Sequence, residues 1–175
     1  PGPNELDENE LKDARAGFEG VVDKTAMLQR DMESYWRLMR WARTETTTQL
    51  EKRAARDVPF TQIFERPEKY RGRLIHLRMH VRRVLVHEDI ENDIGLKKVY
   101  EIWGWTDESK SFPYVVIVPE LPKGLPVGTD IRNEVVFTGY FLKVMAYQAF
   151  EAKRGAPLLI GRVRMAAPRP VATSS

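Results

Sequence analysis

The sequence predicts an α+β fold in which an N-terminal helical segment precedes five β-strands that close into a barrel. Apolar residues recur every three or four positions between residues 28 and 54, which is the spacing of one helix face. Five later stretches are rich in β-branched and aromatic residues and are bounded by Gly, Pro, Asp or Asn. These patterns place a helical segment and connector at residues 1–69, a barrel at residues 70–165 and a flexible tail at residues 166–175.

The composition is that of a folded chain of 175 residues, with room for one ordinary domain and an appendage. A hydrophobic share of 42%, with 10% aromatic and 30% charged residues, is not the profile of a disordered protein. The formal charge of +3 is too small to imply nucleic acid by itself. The sequence has no cysteine, so disulfides and thiolate metal sites are excluded.

The chain has no apolar run that approaches the length of a membrane span. It starts at Pro1 rather than Met, which suggests a trimmed or processed product. We therefore expect a soluble chain of unknown compartment, compatible with the soluble part of an exported or membrane-anchored protein.

The N-terminal region divides into a lead-in and a helix. Residues 1–24 have no strong periodicity, and Gly17 and Gly20 interrupt any helix there. A helical stripe then follows from about Leu28 to Ala54, and β-branched residues at 44–48 predict a break in its middle. The stripe consists of Leu28, Met32, Tyr35, Trp36, Met39, Ala42, Thr46, Leu50 and Ala54.

The segment from Phe60 to Gly72 is a short connector around Pro67. Its aromatic residues predict that it packs against the rest of the fold. The strands that follow have predicted bounds of 72–86, 97–106, 112–118, 134–144 and 158–164. The second and third are separated by a short polar turn, which favours a hairpin, and the connection at 119–133 holds too many Pro and Gly residues for a helix.

The first strand carries the clearest pattern in the chain. Alternate residues are apolar, and the residues between them are histidine or arginine. This pattern is expected when successive side chains of a strand point to opposite faces. The apolar parity changes near Arg82 and Arg83, which predicts a β-bulge. A long bent strand, a hairpin, a connector and two more strands are typical of a five-stranded OB-type barrel. The two parities are Ile75, Leu77, Met79 and Val81, and His76, Arg78, His80 and Arg82.

Several longer motifs resemble a group of uncharacterised bacterial proteins of planctomycete type. They are FTQIFERPEKYRGRLIHLRMHVRRV, YEIWGWTDESKSFPYVVIV, LPKGLPVGTD, VVFTGYFLKVMAY and APLLIGRVR. The resemblance covers roughly residues 20–165 and implies an OB-like domain behind a helical segment, with no activity to carry over. The Pro-rich third connection departs from the OB pattern, in which a helix closes the barrel end. We expect the N-terminal helix or the connector around Phe64 to close it instead.

Metal binding is disfavoured by the predicted strand. His76 and His80 would lie about 13 Å apart at ~3.3 Å per residue, too far to share one ion. The acidic loop from Glu88 to Gly95 is spaced like the start of a calcium loop, but its Gly comes one position late and Tyr100 replaces the final Glu. We expect no metal and no cofactor.

Nucleic-acid binding is the obvious suggestion for an OB-type barrel, because strands two and three supply aromatic platforms and neighbouring residues supply cations. Against it, the acidic loop Glu88–Gly95 would repel phosphates where binding is usually made. Catalysis has little support, since the sequence has no nucleophile elbow and no phosphate-binding Gly-rich loop.

We favour a non-catalytic binding or scaffold module, with an OB-type single-stranded nucleic-acid binder as the alternative. The partner would be an unknown protein or a second copy, bound through the barrel face or through the helix. The helix stripe itself is expected to pack on the barrel, although Trp41 lies off the stripe and would add apolar surface for a partner. The candidate binding residues are Arg78, Arg82, Trp103, Trp105, Lys143 and Arg154.

Overall fold

The computed structural model describes residues 2–169. The helical part comes first and is made of short elements joined by tight turns. They are α1 (Glu8–Phe18), a 3-10 turn (Gln29–Asp31), α2 (Met32–Ala42), α3 (Thr47–Arg53), α4 (Phe60–Glu65) and α5 (Pro67–Tyr70). Within the described residues, none of these helices is long and apolar enough to cross a membrane.

Helix α1 corrects the expectation of a lead-in without a helix. The Asp7 carboxylate accepts a hydrogen bond from the Glu10 N–H and so caps the first turn. Gly17 falls in the last turn, where an interruption costs little. Tertiary packing stabilises the rest, because Ala14 and Phe18 are buried in the core.

The predicted break in the following helix is confirmed. Helix α2 ends at Ala42 and α3 begins at Thr47, after a turn of β-branched and acidic residues. Thr46 caps α3, since its hydroxyl accepts from the Gln49 N–H while the Gln49 side chain accepts from the Thr46 N–H.

Five strands follow, close to their predicted positions except at the end of the chain. They are β1 (Leu74–Glu88), β2 (Lys98–Trp105), β3 (Tyr114–Val118), β4 (Asn133–Ala149) and β5 (Ala152–Met165). The last two are longer than predicted and meet in a tight hairpin whose tip is Phe150.

The strands form one mixed sheet in the order β1-β2-β3-β5-β4, and β4 pairs back with β1 to close the sheet in a ring. The β3 and β5 pair is parallel, and the other pairs are antiparallel. The bulge predicted near Arg82 and Arg83 is confirmed, because the β1 and β2 register shifts between Val81 and Arg83.

The closed sheet separates two apolar layers. The layer inside the ring contains the predicted apolar parity of β1 together with inward residues of the other strands. Helix α4 adds Phe60 and Ile63 to this layer, so the connector closes one end of the ring, as one of the two sequence-based alternatives proposed. The inner layer includes Ile75, Leu77, Met79, Ile102, Val116, Phe137, Phe141 and Leu159.

The second layer lies between the outer face of the sheet and helices α1, α2 and α3. The helix stripe packs there, as expected, with Met39 and Leu50 fully buried. Trp41 is also fully buried, which corrects the view that it adds free apolar surface. Its indole N–H donates to Glu10 at 2.8 Å, so α1 covers it.

The tail predicted at residues 166–175 lies partly outside the described residues, which end at residue 169. Residues 166–169 have no regular secondary structure. The Arg169 guanidinium lies 2.9 Å from Asp107 and 2.8 Å from Glu134, so this part of the tail contacts the sheet.

Candidate functional site

Four of the six predicted binding residues line one surface cleft. Arg82, Trp103, Trp105 and Arg154 surround a volume of about 810 Å³ between the β1–β2 bulge and the β4–β5 hairpin. We call it the outer cleft. It is lined in full by Arg82, Arg83, Trp103, Gly104, Trp105, Lys110, Ser111, Pro113, Thr129, Tyr147, Gln148, Ala149, Phe150 and Arg154.

The other two predicted residues are elsewhere. Lys143 is fully buried, so its prediction as a surface cation is wrong. Its ammonium group pairs with the equally buried Asp31 at 2.8 Å and donates to Thr25 at 2.8 Å. Arg78 lies on the outer face of β1, where it pairs with Glu134 and donates to the Ala167 carbonyl.

The two tryptophans have different surroundings. Trp103 is only 8% exposed, because Tyr147 packs edge-on against it at 5.1 Å and the Arg83 guanidinium lies 4.8 Å from its ring centre. Its indole N–H donates to Glu101 at 2.5 Å. Trp105 is half-buried and leaves part of its ring accessible. Trp103 is therefore the rigid wall of the outer cleft, and Trp105 is a platform that a ligand can reach.

The hairpin tip supplies an unusual aromatic residue. The Phe150 side chain is 101% exposed, and its backbone φ of 53° lies in the left-handed region. A bulky residue is uncommon in this conformation, which disfavours a side chain with a Cβ atom. Lys110, in the turn before β3, has a φ of 58° and lines the same cleft. Both residues lie in tight turns, and the left-handed backbone there fixes where the turns place their side chains beside the cleft.

The electrostatics of the outer cleft favour an anion. Arg82, Arg83, Lys110 and Arg154 line it and are all exposed. Among residues 2–169, no carboxylate belongs to its lining. Because several cations converge on one concave surface without local neutralisation, the cleft concentrates positive potential.

The acidic loop between β1 and β2 is directed away from this cleft. Ile90, Ile94 and Leu96 pack on the helical layer, and the Asn92 side chain holds the turn by accepting from the Ile94 and Leu96 N–H groups. Its carboxylates Glu91 and Asp93 line a different depression beside α2. The objection that this loop would repel phosphates therefore does not apply to the outer cleft.

A second cleft, which we call the inner cleft, lies on the opposite side of the β4–β5 hairpin and has a volume of about 700 Å³. Helix α4 forms its other wall. Tyr147, Pro113 and Arg154 border both clefts, so the hairpin separates them. The inner cleft is lined by Lys24, Phe60, Thr61, Phe64, Glu65, Phe112, Pro113, Ala146, Tyr147, Ala152, Lys153, Arg154 and Gly155.

A smaller polar depression near the start of β1 includes Arg56, His76, Arg78 and Tyr114. Burial lowers the pKa of His76, and the neighbouring Arg56 guanidinium lowers it further. The Tyr114 hydroxyl is buried without a partner among the described residues, and burial raises its pKa. Three arginines and three carboxylates line this depression, so it does not select either sign of charge.

His76 and His80 of β1 contact different partners. His76 lies 3.2 Å from the Arg56 guanidinium, and His80 lies 2.7 Å from Asp107. In residues 2–169, no group of three His, Asp or Glu side chains is placed to hold a metal ion.

Sequence reasoning missed Arg83, Lys110, Tyr147 and Phe150 as cleft residues. Arg83 was visible as the partner of Arg82 in the bulge. Tyr147 and Phe150 were missed because the fourth strand was ended at Val144, and the run from Tyr147 to Arg154 was not interpreted as a hairpin.

No protein-family model, no curated protein and no solved structure matches this chain. The resemblance to the planctomycete-type group therefore stays a prediction, and the functional argument depends on the geometry of the clefts.

Proposed function

We propose that this chain is a non-catalytic binding module built on an OB-like barrel, and that its outer cleft binds single-stranded nucleic acid. The OB-like assignment is supported by five strands in the order β1-β2-β3-β5-β4, with β1 paired to both β2 and β4. In OB-type barrels, oligonucleotides bind at the face of strands two and three and at the loops joining strands one to two and four to five. The outer cleft includes residues of β2 and of the β4–β5 hairpin, but none of the acidic loop between β1 and β2.

The single observation that carries the proposal is the lining of the outer cleft. It combines four exposed cations with accessible aromatic rings, and no described carboxylate. Single strands are bound by this combination, since the cations contact phosphates and the aromatic rings stack on bases. Trp105 and Phe150 provide the accessible rings, one on each side of the cleft.

A duplex is disfavoured as the ligand. Its bases are already stacked on one another, so the aromatic rings of the outer cleft would have no free base to contact. The fully exposed Phe150 and the half-buried Trp105 are useful only to a ligand whose bases are unpaired.

The proposal is tested with fluorescein-labelled oligonucleotides of about 15 nucleotides, within the range of site sizes for OB folds. Fluorescence anisotropy at about 50 mM salt should show binding of DNA or RNA single strands and weaker binding of the matched duplex. Trp105→Ala should weaken single-strand binding about tenfold, because one stacked base contributes ~1–3 kcal/mol.

Trp36→Ala is the matched control. Trp36 lies on α2 beside the acidic loop and lines neither the outer nor the inner cleft. It should leave binding unchanged. Absence of single-strand binding at low salt, or equal loss in both variants, would overturn the proposal.

A further inference from the structure

Strand β5 extends beyond the strand that pairs with it on one side. The β3 and β5 ladder joins residues 115–117 to residues 158–160, while the β4 and β5 ladder continues to Ala152. Residues 152–157 therefore have β4 on one side, and no described strand on the other. This free edge borders the inner cleft, which includes residues 152–155.

The hydrogen bonds of β4 show which backbone groups the free edge presents. The Ala146 N–H donates to the Thr25 carbonyl at 3.0 Å, and the Val144 carbonyl accepts from the Lys24 N–H at 2.7 Å. Both bonds point away from β5. In an antiparallel ladder, opposed residues alternate between pairs that exchange both bonds and pairs that exchange none. Val144 and Ala146 therefore belong to pairs that exchange no hydrogen bond with β5.

Their partners on β5 are Pro157 and Gly155, and the next pair of this kind joins Gln148 to Lys153. Lys153 and Gly155 consequently direct their N–H and C=O groups to the free edge. Pro157 has no N–H to offer, as is typical of a proline in an edge strand. It ends the donor pattern, so an added strand can pair with this edge over residues 153–155.

The inner cleft beside this edge is apolar with a basic rim. Phe64 packs over Gly155, and Phe112 is 56% exposed. Lys24, Lys153 and Arg154 are exposed at the rim. Glu65 is the one carboxylate of the lining within the described chain. The cleft thus suits an apolar side chain flanked by negative charges.

We propose that the inner cleft and the free β5 edge bind an extended acidic peptide of another protein by strand addition. The peptide backbone pairs with Lys153 and Gly155, and its carboxylates face the basic rim. One aromatic or aliphatic side chain packs on the exposed surface of the ring stack that Phe60 forms with Phe64 and Phe112. Alternating backbone donors and acceptors favour a peptide here over a nucleic acid, which has no matching alternation.

The probes are fluorescein-labelled ten-residue peptide mixtures in which Asp or Glu alternates with Phe, Leu or Val. A second mixture carries Lys or Arg in place of the acids, and a third is the acidic mixture N-methylated at alternate residues. Anisotropy should show binding of the first mixture only. N-methylation should weaken it about tenfold, because the lost backbone hydrogen bonds each weaken binding several-fold.

Variants at two positions, 153 and 112, locate the site. Lys153→Pro removes an edge N–H as well as the charge, and Lys153→Ala removes the charge alone, so the proline variant should bind at least several-fold more weakly than the alanine variant. Phe112→Ala removes a half-exposed ring that stacks on Phe60 and should also weaken the peptide. Its melting temperature is measured alongside, so that lost binding is distinguished from lost folding. Trp105→Ala, in the outer cleft, should leave peptide binding unchanged.

Three results would overturn the proposal. They are absence of binding by the acidic mixture, equal binding of its N-methylated form, and loss of oligonucleotide binding in Phe112→Ala as large as in Trp105→Ala. The last would assign the inner cleft to the nucleic acid. Since oligonucleotide binding is measured separately, failure of the peptide site leaves the function proposed for the outer cleft standing.

Discussion

Removing one partner of the buried pair of Lys143 and Asp31 should be among the most destabilising single substitutions in this chain. Both side chains have no exposed surface, and their charged atoms lie 2.8 Å apart. Lys143→Met replaces the lysine by an unbranched apolar side chain that lacks the ammonium group, and it leaves the Asp31 carboxylate in the core. Its Oδ2 atom would retain a hydrogen bond from the Leu28 N–H at 2.8 Å, while Oδ1 has no partner in the described structure.

Breaking a buried pair by removing one partner typically costs about 3–5 kcal/mol, because the remaining charge is uncompensated. At ~2–4 °C per kcal/mol for a chain of this size, the melting temperature should fall by about 10 °C. Urea denaturation measures the free energy of unfolding directly, provided that the slope with denaturant is unchanged.

The double variant Lys143→Met with Asp31→Asn removes both charges and should cost less than the sum of the single variants. The exposed Lys153→Met is the matched control and should change stability by less than about 0.5 kcal/mol. A cost below about 1 kcal/mol for Lys143→Met, with additive costs in the double variant, would refute the reasoning.

Three further predictions concern other parts of the fold. Because burial and Arg56 lower the pKa of His76 in the folded state, the unfolded chain binds more protons below its ordinary pKa of about 6.5. Unfolding free energy should therefore fall between pH 7 and 5 more steeply in the wild type than in His76→Gln, and parallel profiles would contradict this. Gly161→Ala should destabilise by more than about 2 kcal/mol, since an added Cβ would lie 2.1 Å from a backbone oxygen of β4, whereas Gly20→Ala should be nearly neutral in the same denaturation assay. Phe150→Gly relieves a left-handed backbone and should raise stability by up to about 1 kcal/mol while weakening oligonucleotide binding; unchanged binding would remove Phe150 from the site.

The strand pattern was predictable because its causes are local. One face of β1 is buried against the inner layer, so the alternation in the sequence fixes which side chains point inward. The bulge near Arg83 was visible for the same reason, as a change of parity. The break between α2 and α3 was also predictable, since the β-branched residues at 44–48 weaken a helix. Thr46 was assigned to the helix stripe, but in the structure it caps α3.

Helix α1 was missed because its stability depends on distant packing. Few of its residues are apolar, and Phe18 acquires its partners only when α2 and the sheet are in place. A local signal was present, since Asp7 followed by Glu10 matches the spacing of a capping box. The nearby Gly17 and Gly20 outweighed it in the sequence-based prediction.

Only some of the binding residues were predictable, because the surroundings of the others depend on residues far away in the sequence. Arg82, Trp103 and Trp105 belong to neighbouring strands whose pairing could be anticipated, and the structure brings them together. Lys143 was wrongly placed because its partner Asp31 is 112 residues away in the sequence. A lysine in a strand resembles a surface residue until the carboxylate that neutralises it is known.

The salt dependence of oligonucleotide affinity tests the central claim most directly. If the four cations of the outer cleft contact phosphates, the logarithm of the binding constant should fall with a slope of about −2.8 against the logarithm of salt concentration. Affinity should then drop about 50-fold between about 50 and 200 mM salt. The double variant Arg82→Ala with Arg154→Ala should halve the slope to about −1.4. A slope near zero in the wild type, or the same slope in the double variant, would contradict the assignment of the outer cleft to single-stranded nucleic acid.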